Sequence, residues 1–102
     1  MRTISSASTE YVAIVVTSDD DPASAVVEVG FSSTSSEPAT WYVAEWVPGT
    51  QVSVGGSLRT TCRVLVGPSG DVTLAEGRYA VWTRVAAIPE TVVDLAGYLK
   101  VY

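Results

Sequence analysis

The sequence contains no histidine and only one cysteine, Cys62. Without histidine the chain cannot form a Ser-His or Cys-His pair that activates a nucleophile. A single cysteine also excludes an internal disulfide and a cysteine-based metal cluster. The HExxH zinc motif is missing, and the loop at residues 67–71 lacks the Lys-Ser or Lys-Thr of a phosphate-binding loop. Since the eleven acidic residues are scattered, we predict a protein that is not an enzyme and binds no cofactor.

Charge is scarce and its sign is unbalanced. Only 17% of the residues are charged, against roughly 25% in a typical domain. Six Lys and Arg face eleven Asp and Glu, which gives a net charge of −5, and no basic residues cluster. This excludes nucleic acid as an expected partner, because phosphate binding needs clustered Lys and Arg. A small domain exposes much of its surface, so the low charge predicts that another protein covers part of it.

Long hydrophobic runs are absent as well. No stretch approaches the roughly 20 apolar residues of a membrane-spanning helix. The first eleven residues, MRTISSASTEY, contain one arginine and no apolar segment of a secretory signal. We therefore expect no membrane partner, and synthesis and folding in a cytoplasm.

Short runs of alternating apolar residues, separated by Gly, Pro, Ser and Asp, fill most of the chain. This period of two is typical of β-strands, and the spacing of the turns favours an antiparallel sandwich. We predict an all-β fold of six to seven antiparallel strands, with one domain at residues 9–102 behind a flexible tail at residues 1–8. Gly97 lies inside the last run and indicates a bulge or a close backbone approach. The predicted strands are residues 9–17, 24–32, 40–47, 58–66, 77–86 and 92–101, with a seventh near 51–54.

The segment LAEGRYAVWTRV, residues 74–85, identifies the kind of sandwich. Leu74, Gly77 and Tyr79 match a tyrosine corner, in which the tyrosine hydroxyl bonds back to the chain before the penultimate strand of an immunoglobulin-like sandwich. Val81 then occupies the position of the cysteine in antibody domains. We also expect Trp46 to be the core aromatic of the third predicted strand.

Two groups of residues are candidate contacts with a partner. Trp82 should face outward, with Arg78 and Arg84 on the same face, and Trp and Arg are enriched at interface hot spots. Alternatively, the arginine stems simply cover the ring. The first predicted strand is apolar on both faces, so Tyr11 and Val15 would need a partner if this strand lies at an edge. The alternative is that the N-terminal tail or a loop covers them.

Two further features have a functional and a structural interpretation. Asp19, Asp20 and Asp21 could bind Ca²⁺ through oxygen ligands. No spaced Asp-x-Asp-x-Asp pattern accompanies them, so we favour a solvated turn and predict no metal site. Cys62 alternates with apolar residues, which favours a buried and unreactive thiol.

Residues 65–101 resemble a group of small proteins encoded among the virion structural genes of tailed phages that infect actinobacteria. The resemblance implies an immunoglobulin-like module on the phage head or at the head-to-tail connection, without a cofactor. Its partners would be the major capsid protein, connector subunits or further copies of this chain, in a virion assembled in the host cytoplasm. Thr83 and the pair Ala87-Ile88 depart from the pattern. The matching residues are Leu65, Val66, Gly67, Pro68, Gly70, Leu74, Gly77, Tyr79, Val81, Trp82, Arg84, Pro89, Glu90, Gly97 and Leu99.

An alternative function belongs to a different class. A carbohydrate-binding β-sandwich module could use exposed Trp82 and Tyr98 to stack on the sugar rings of a cell-wall polysaccharide. Sugar binding would then quench tryptophan fluorescence, whereas an assembly protein would not respond to sugars.

Overall fold

The structure is a computed structural model that describes residues 2–22, 24–34, 36–86 and 91–102. In these ranges the chain forms strands and no helix, which confirms the all-β prediction. The pair Ala87-Ile88 and the Pro89-Glu90 turn of the resemblance lie outside the described residues. The strands are β1 (Arg2–Ile4), β2 (Glu10–Ser18), β3 (Val26–Ser32), β4 (Trp41–Val43), β5 (Glu45–Trp46), β6 (Val52–Val54), β7 (Ser57–Val66), β8 (Gly77–Ala86) and β9 (Thr91–Val101).

The strands form two sheets that pack face to face. The five-stranded sheet has the order β1-β9-β8-β3-β4, and the four-stranded sheet has the order β2-β7-β5, with β6 also pairing with β7. Strand β8 lies between β9 and β3, and strand β7 lies between β2 and β5, so the chain forms an all-β sandwich. The hydroxyl of Tyr79 donates a hydrogen bond of 2.8 Å to the carbonyl of Ala75, which is the bond of a tyrosine corner.

The core lies between the sheets and is made of inward-facing aliphatic side chains. Val29, Cys62 and Leu99 have no exposed surface. Burial raises the pKa of the Cys62 thiol to about 11, because the thiolate would lose its hydration. Trp46 is half-buried against this core, and its indole N–H donates to the carbonyl of Ala25 at 2.9 Å.

The structure corrects two boundaries predicted from the sequence. Residues 2–4 belong to the predicted tail but form β1, which pairs in parallel with β9 because Ile4 is apolar and buries itself in the core. The predicted strand at residues 40–47 is divided into β4 and β5, which belong to different sheets. The chain crosses between them at Ala44, whose N–H donates to the carbonyl of Val27 at 2.9 Å.

The predicted seventh strand and the predicted irregularity at Gly97 are both present. Val52–Val54 form β6, at the position of the seventh strand. Between β8 and β9 the register shifts, since Val81 lies opposite Gly97 while Trp82 lies opposite Leu95. Ala96 is therefore the extra residue of a β-bulge, as the position of Gly97 predicts.

Candidate interaction surfaces

Trp82 faces outward from the five-stranded sheet, but it is not a free ring. Gly30 lies between Trp41 and Trp82 in the register of β4, β3 and β8. The ring of Pro38 lies directly over Gly30, so closely that a Cβ atom on Gly30 would overlap it. Trp82 itself is half-buried, and its indole nitrogen is covered, with no hydrogen-bond acceptor among the described residues. We call Gly30, Pro38, Trp41 and Trp82 the closed patch.

Arg84 is engaged by its neighbours on the same face. Its guanidinium forms two hydrogen bonds with the Glu28 carboxylate, from Nε to Oε1 at 3.1 Å and from Nη2 to Oε2 at 3.0 Å. It also stacks over the Trp41 ring at 4.5 Å. Arg78 lies farther along β8, opposite Lys100, and is exposed. Of the three residues predicted on this face, Arg78 is thus exposed, whereas Trp82 and Arg84 are half-buried.

Sequence reasoning missed the residues that close this patch. Glu28 is the one charge in its strand and lies opposite Arg84. Because Glu28 lies on the outward-facing side of β3, a pair with an arginine of a neighbouring strand could have been predicted from the sequence. Pro38 gave no such signal, because its contact with Gly30 depends on how the loop folds back over the sheet.

Strand β2 is the edge of the four-stranded sheet, which is the condition under which its apolar second face was expected to need a partner. Val12, Ile14 and Val16 point into the core, whereas Tyr11 and Val15 are 46% and 58% exposed. Residues 2–4 pair with β9, so they leave this face uncovered.

One charged side chain covers part of this face of β2. The Arg63 guanidinium lies 4.1 Å from the centre of the Tyr11 ring and bonds to Glu45 at 2.5 Å. This hydrogen bond raises the pKa of Arg63. Val15 is more exposed than Tyr11.

Strand β9 is also open along most of its outer edge. β1 pairs only with residues 99–101, and in the described part of the chain no strand pairs with the same edge of residues 91–98. Val92, Leu95 and Tyr98 are each 45% to 57% exposed. We call the unpaired edge of β2 together with this edge of β9 the open side.

Two cavities follow the open side. A cavity of about 830 Å³ lies between the end of β2 and the beginning of β9, where Val16, Val85 and Val92 line it. A second cavity of about 270 Å³ lies between Val12 and Val15 of β2 and the bulge at Gly97.

The three consecutive aspartates lie in an exposed bend that follows β2. The Ser18 hydroxyl donates to the carbonyl of Asp20 at 2.7 Å, and the Gln51 amide donates to the Asp21 carboxylate at 2.8 Å. Within the described ranges no three acidic or cysteine side chains come close enough together to hold a metal ion. The carbohydrate alternative needs two exposed rings, and here Tyr98 is exposed while Trp82 is half-buried.

No protein-family model, curated protein or solved structure matches this chain. Among the residues that the structure describes, none forms a helix of the length and apolar character needed to cross a membrane.

Proposed function

We propose that the chain is a non-enzymatic structural protein of a tailed-phage virion. In this role it binds capsid or head-to-tail connector subunits, as a head decoration protein or a minor head protein. The virion setting rests on the sequence resemblance of residues 65–101. The mode of action, burial of surface against other subunits, rests on the exposed apolar side chains.

The observation that carries this proposal is the amount of apolar surface left in water. Among the residues that the structure describes, ten large hydrophobic side chains are 45% to 68% exposed. Burying apolar surface contributes about 25 cal/mol per Å², and contiguous exposed apolar area marks protein interfaces. The ten exposed hydrophobic residues are Tyr11, Val15, Val26, Val43, Val52, Val54, Val92, Leu95, Tyr98 and Tyr102.

The rest of the molecule suits a rigid binding module. Its elements are joined by long ladders, such as the ten register pairs of β8 with β9. The one thiol is buried and has a raised pKa, so it is not available as a nucleophile.

The test is to purify phage particles that carry this gene and to separate heads from tails. Quantitative mass spectrometry then compares this chain with the major capsid protein in each fraction. A ratio near one, or a simple fraction of it, supports a decoration protein, and about a dozen copies supports a connector protein. Absence of the chain from the particles would contradict the proposal.

The carbohydrate alternative is retained only for Tyr98, whose ring is 57% exposed. Titration with a purified cell-wall polysaccharide tests it through the intrinsic fluorescence of the aromatic residues. A saturable change that disappears in Tyr98→Ala would favour this function over assembly.

A further inference from the structure

We propose that the open side accepts one extended segment of a partner subunit, which adds to the edge of β2 as an antiparallel strand. The segment alternates apolar side chains and carries lysine or arginine at its amino end. This inference rests on the proposed function, because it names how a partner subunit would bind.

Strand β2 has the length and regularity of a strand that is paired on both of its edges. All nine of its residues pair with β7 in one uninterrupted register. Natural edge strands are protected by short length, proline, bulges or central charges. β2 has none of these protections, since its one charge is Glu10 at its beginning. By contrast, the edge strands β1, β4, β5 and β6 have only two or three residues each.

The other wall of the open side is β9, whose inner face is uncovered in its first half although Leu99 is buried in its second half. In the register of β8 and β9, Val92 lies opposite Val85 and Asp94 lies opposite Thr83. Val85 and Thr83 are buried in the interior, yet Val92 is 48% exposed and Asp94 is exposed. A segment added beside β2 would therefore place its inward side chains over Val92. The two cavities along β2 mark the space that these side chains would fill.

The charges around the open side indicate which end of an antiparallel segment carries its basic residues. The larger cavity is bordered by four aspartates and by no described lysine or arginine, whereas Arg2 borders the smaller cavity. An antiparallel neighbour of β2 begins beside the end of β2, so its amino end lies next to these carboxylates. Basic residues at that end are favoured by opposite charge. The four aspartates that border the larger cavity are Asp19, Asp20, Asp21 and Asp94.

The same charges argue against a second copy of this chain as the occupant. In an antiparallel pair of two β2 strands, Glu10 of one copy would lie near Ser18 and Asp19 of the other. This arrangement brings acidic groups together. A partner strand with a basic amino end removes this conflict.

The experiment uses the full chain and a synthetic nine-residue peptide that alternates valine with threonine and begins with two lysines. A matched peptide carries the two lysines at its carboxyl end. Fluorescence anisotropy measures binding, and amide hydrogen exchange followed by NMR locates it. Val92→Lys is the test variant, and Val43→Lys, on the opposite edge of the same sheet, is the control because Val43 is also exposed.

We expect the first peptide to bind and to protect alternate amides between residues 10 and 18. Val92→Lys should weaken binding by about tenfold or more, and Val43→Lys should leave it unchanged. The peptide with its lysines at the carboxyl end should bind more weakly. No binding of the peptide at about 1 mM would overturn the proposal, and so would equal binding to Val92→Lys. It would also be overturned if β2 became protected without peptide as the protein concentration rose, because that result would indicate a second copy as the occupant. None of these results depends on whether the chain is found in virions, so this inference and the proposed function can fail separately.

Discussion

The closed patch and the open side are both regions with apolar side chains outside the closed core, but only one of them is covered by the chain itself. At the closed patch, Pro38 folds over Gly30, and Glu28 neutralises Arg84 beside Trp41. At the open side, Val15 and Val92 remain about half-exposed, and no described strand completes the edge of β2. The difference shows that an outward apolar residue indicates an interface only after the chain's own cover has been located.

The largest expected effect comes from forcing the closed patch open. In Gly30→Val the new side chain overlaps the Pro38 ring, so the loop must move or the strand must shift. We expect the free energy of unfolding to fall by about 3 kcal/mol. Urea denaturation measures this loss, and a red shift of tryptophan emission in the folded state reports exposure of the patch.

The matched control adds methyl groups to the open side instead. Ala13 is exposed on β2, so Ala13→Val has space and should change stability little. If both variants lose the same stability, the two regions do not differ in the way described here.

The next effect concerns the charge pair that completes the closed patch. Glu28→Gln removes the carboxylate that holds Arg84 in a partly buried position. We expect a loss of about 1.5 kcal/mol in unfolding free energy. Glu45→Gln breaks the more exposed pair with Arg63 and should cost less, and salt should reduce its effect more strongly. Equal losses in the two variants would show that burial does not distinguish the pairs.

A third prediction concerns how the burial of the Cys62 thiol in the core makes stability depend on pH. The pKa of Cys62 is about 11 in the folded chain, against 9.0 for an ordinary thiol. Between these values the folded chain keeps the proton and the unfolded chain loses it, so stability falls as the pH rises. We expect a loss of about 1 kcal/mol by pH 10.

Thermal or urea unfolding at several pH values measures this loss. The variant Cys62→Val is the reference, because it removes the thiol and retains every other alkaline titration. The same pH dependence in this variant would mean that the thiol is not the cause.

The smallest effect belongs to the corner before β8. Tyr79→Phe removes the hydrogen bond to Ala75, which lies partly in water, and should lower stability by about 0.5 kcal/mol. Tyr98→Phe, on the exposed face of β9, should change stability less. Denaturation of the two variants side by side decides whether the corner bond contributes.

Much of the fold could be predicted from the sequence because alternation is a local property. The runs around Val12 and Val81 identified strands and their inward faces, and Gly97 identified the bulge. The division at Ala44 could not be predicted, since the same alternation continues while the chain passes from one sheet to the other. Strand β1 was missed because three residues are too few to show a period.

The candidate contacts were predictable only in part, for a related reason. The apolar second face of β2 made Tyr11 and Val15 candidate contacts only if β2 is an edge, and the sheet order and their exposure show that it is one. The environment of Trp82 depends on Pro38, Trp41 and Glu28, which are distant in sequence. The open edge of β9 likewise depends on how far β1 extends along it.

The most direct test of the account compares hydrogen exchange of this chain alone and assembled in purified phage particles. Residues 10–18 should exchange more slowly in the particles, because a partner strand would bond to the edge of β2. Residues 77–86 lie within the sheet on both sides and should change little. Unchanged exchange at residues 10–18 in particles that contain the chain would contradict the claim that the open side is where a partner binds.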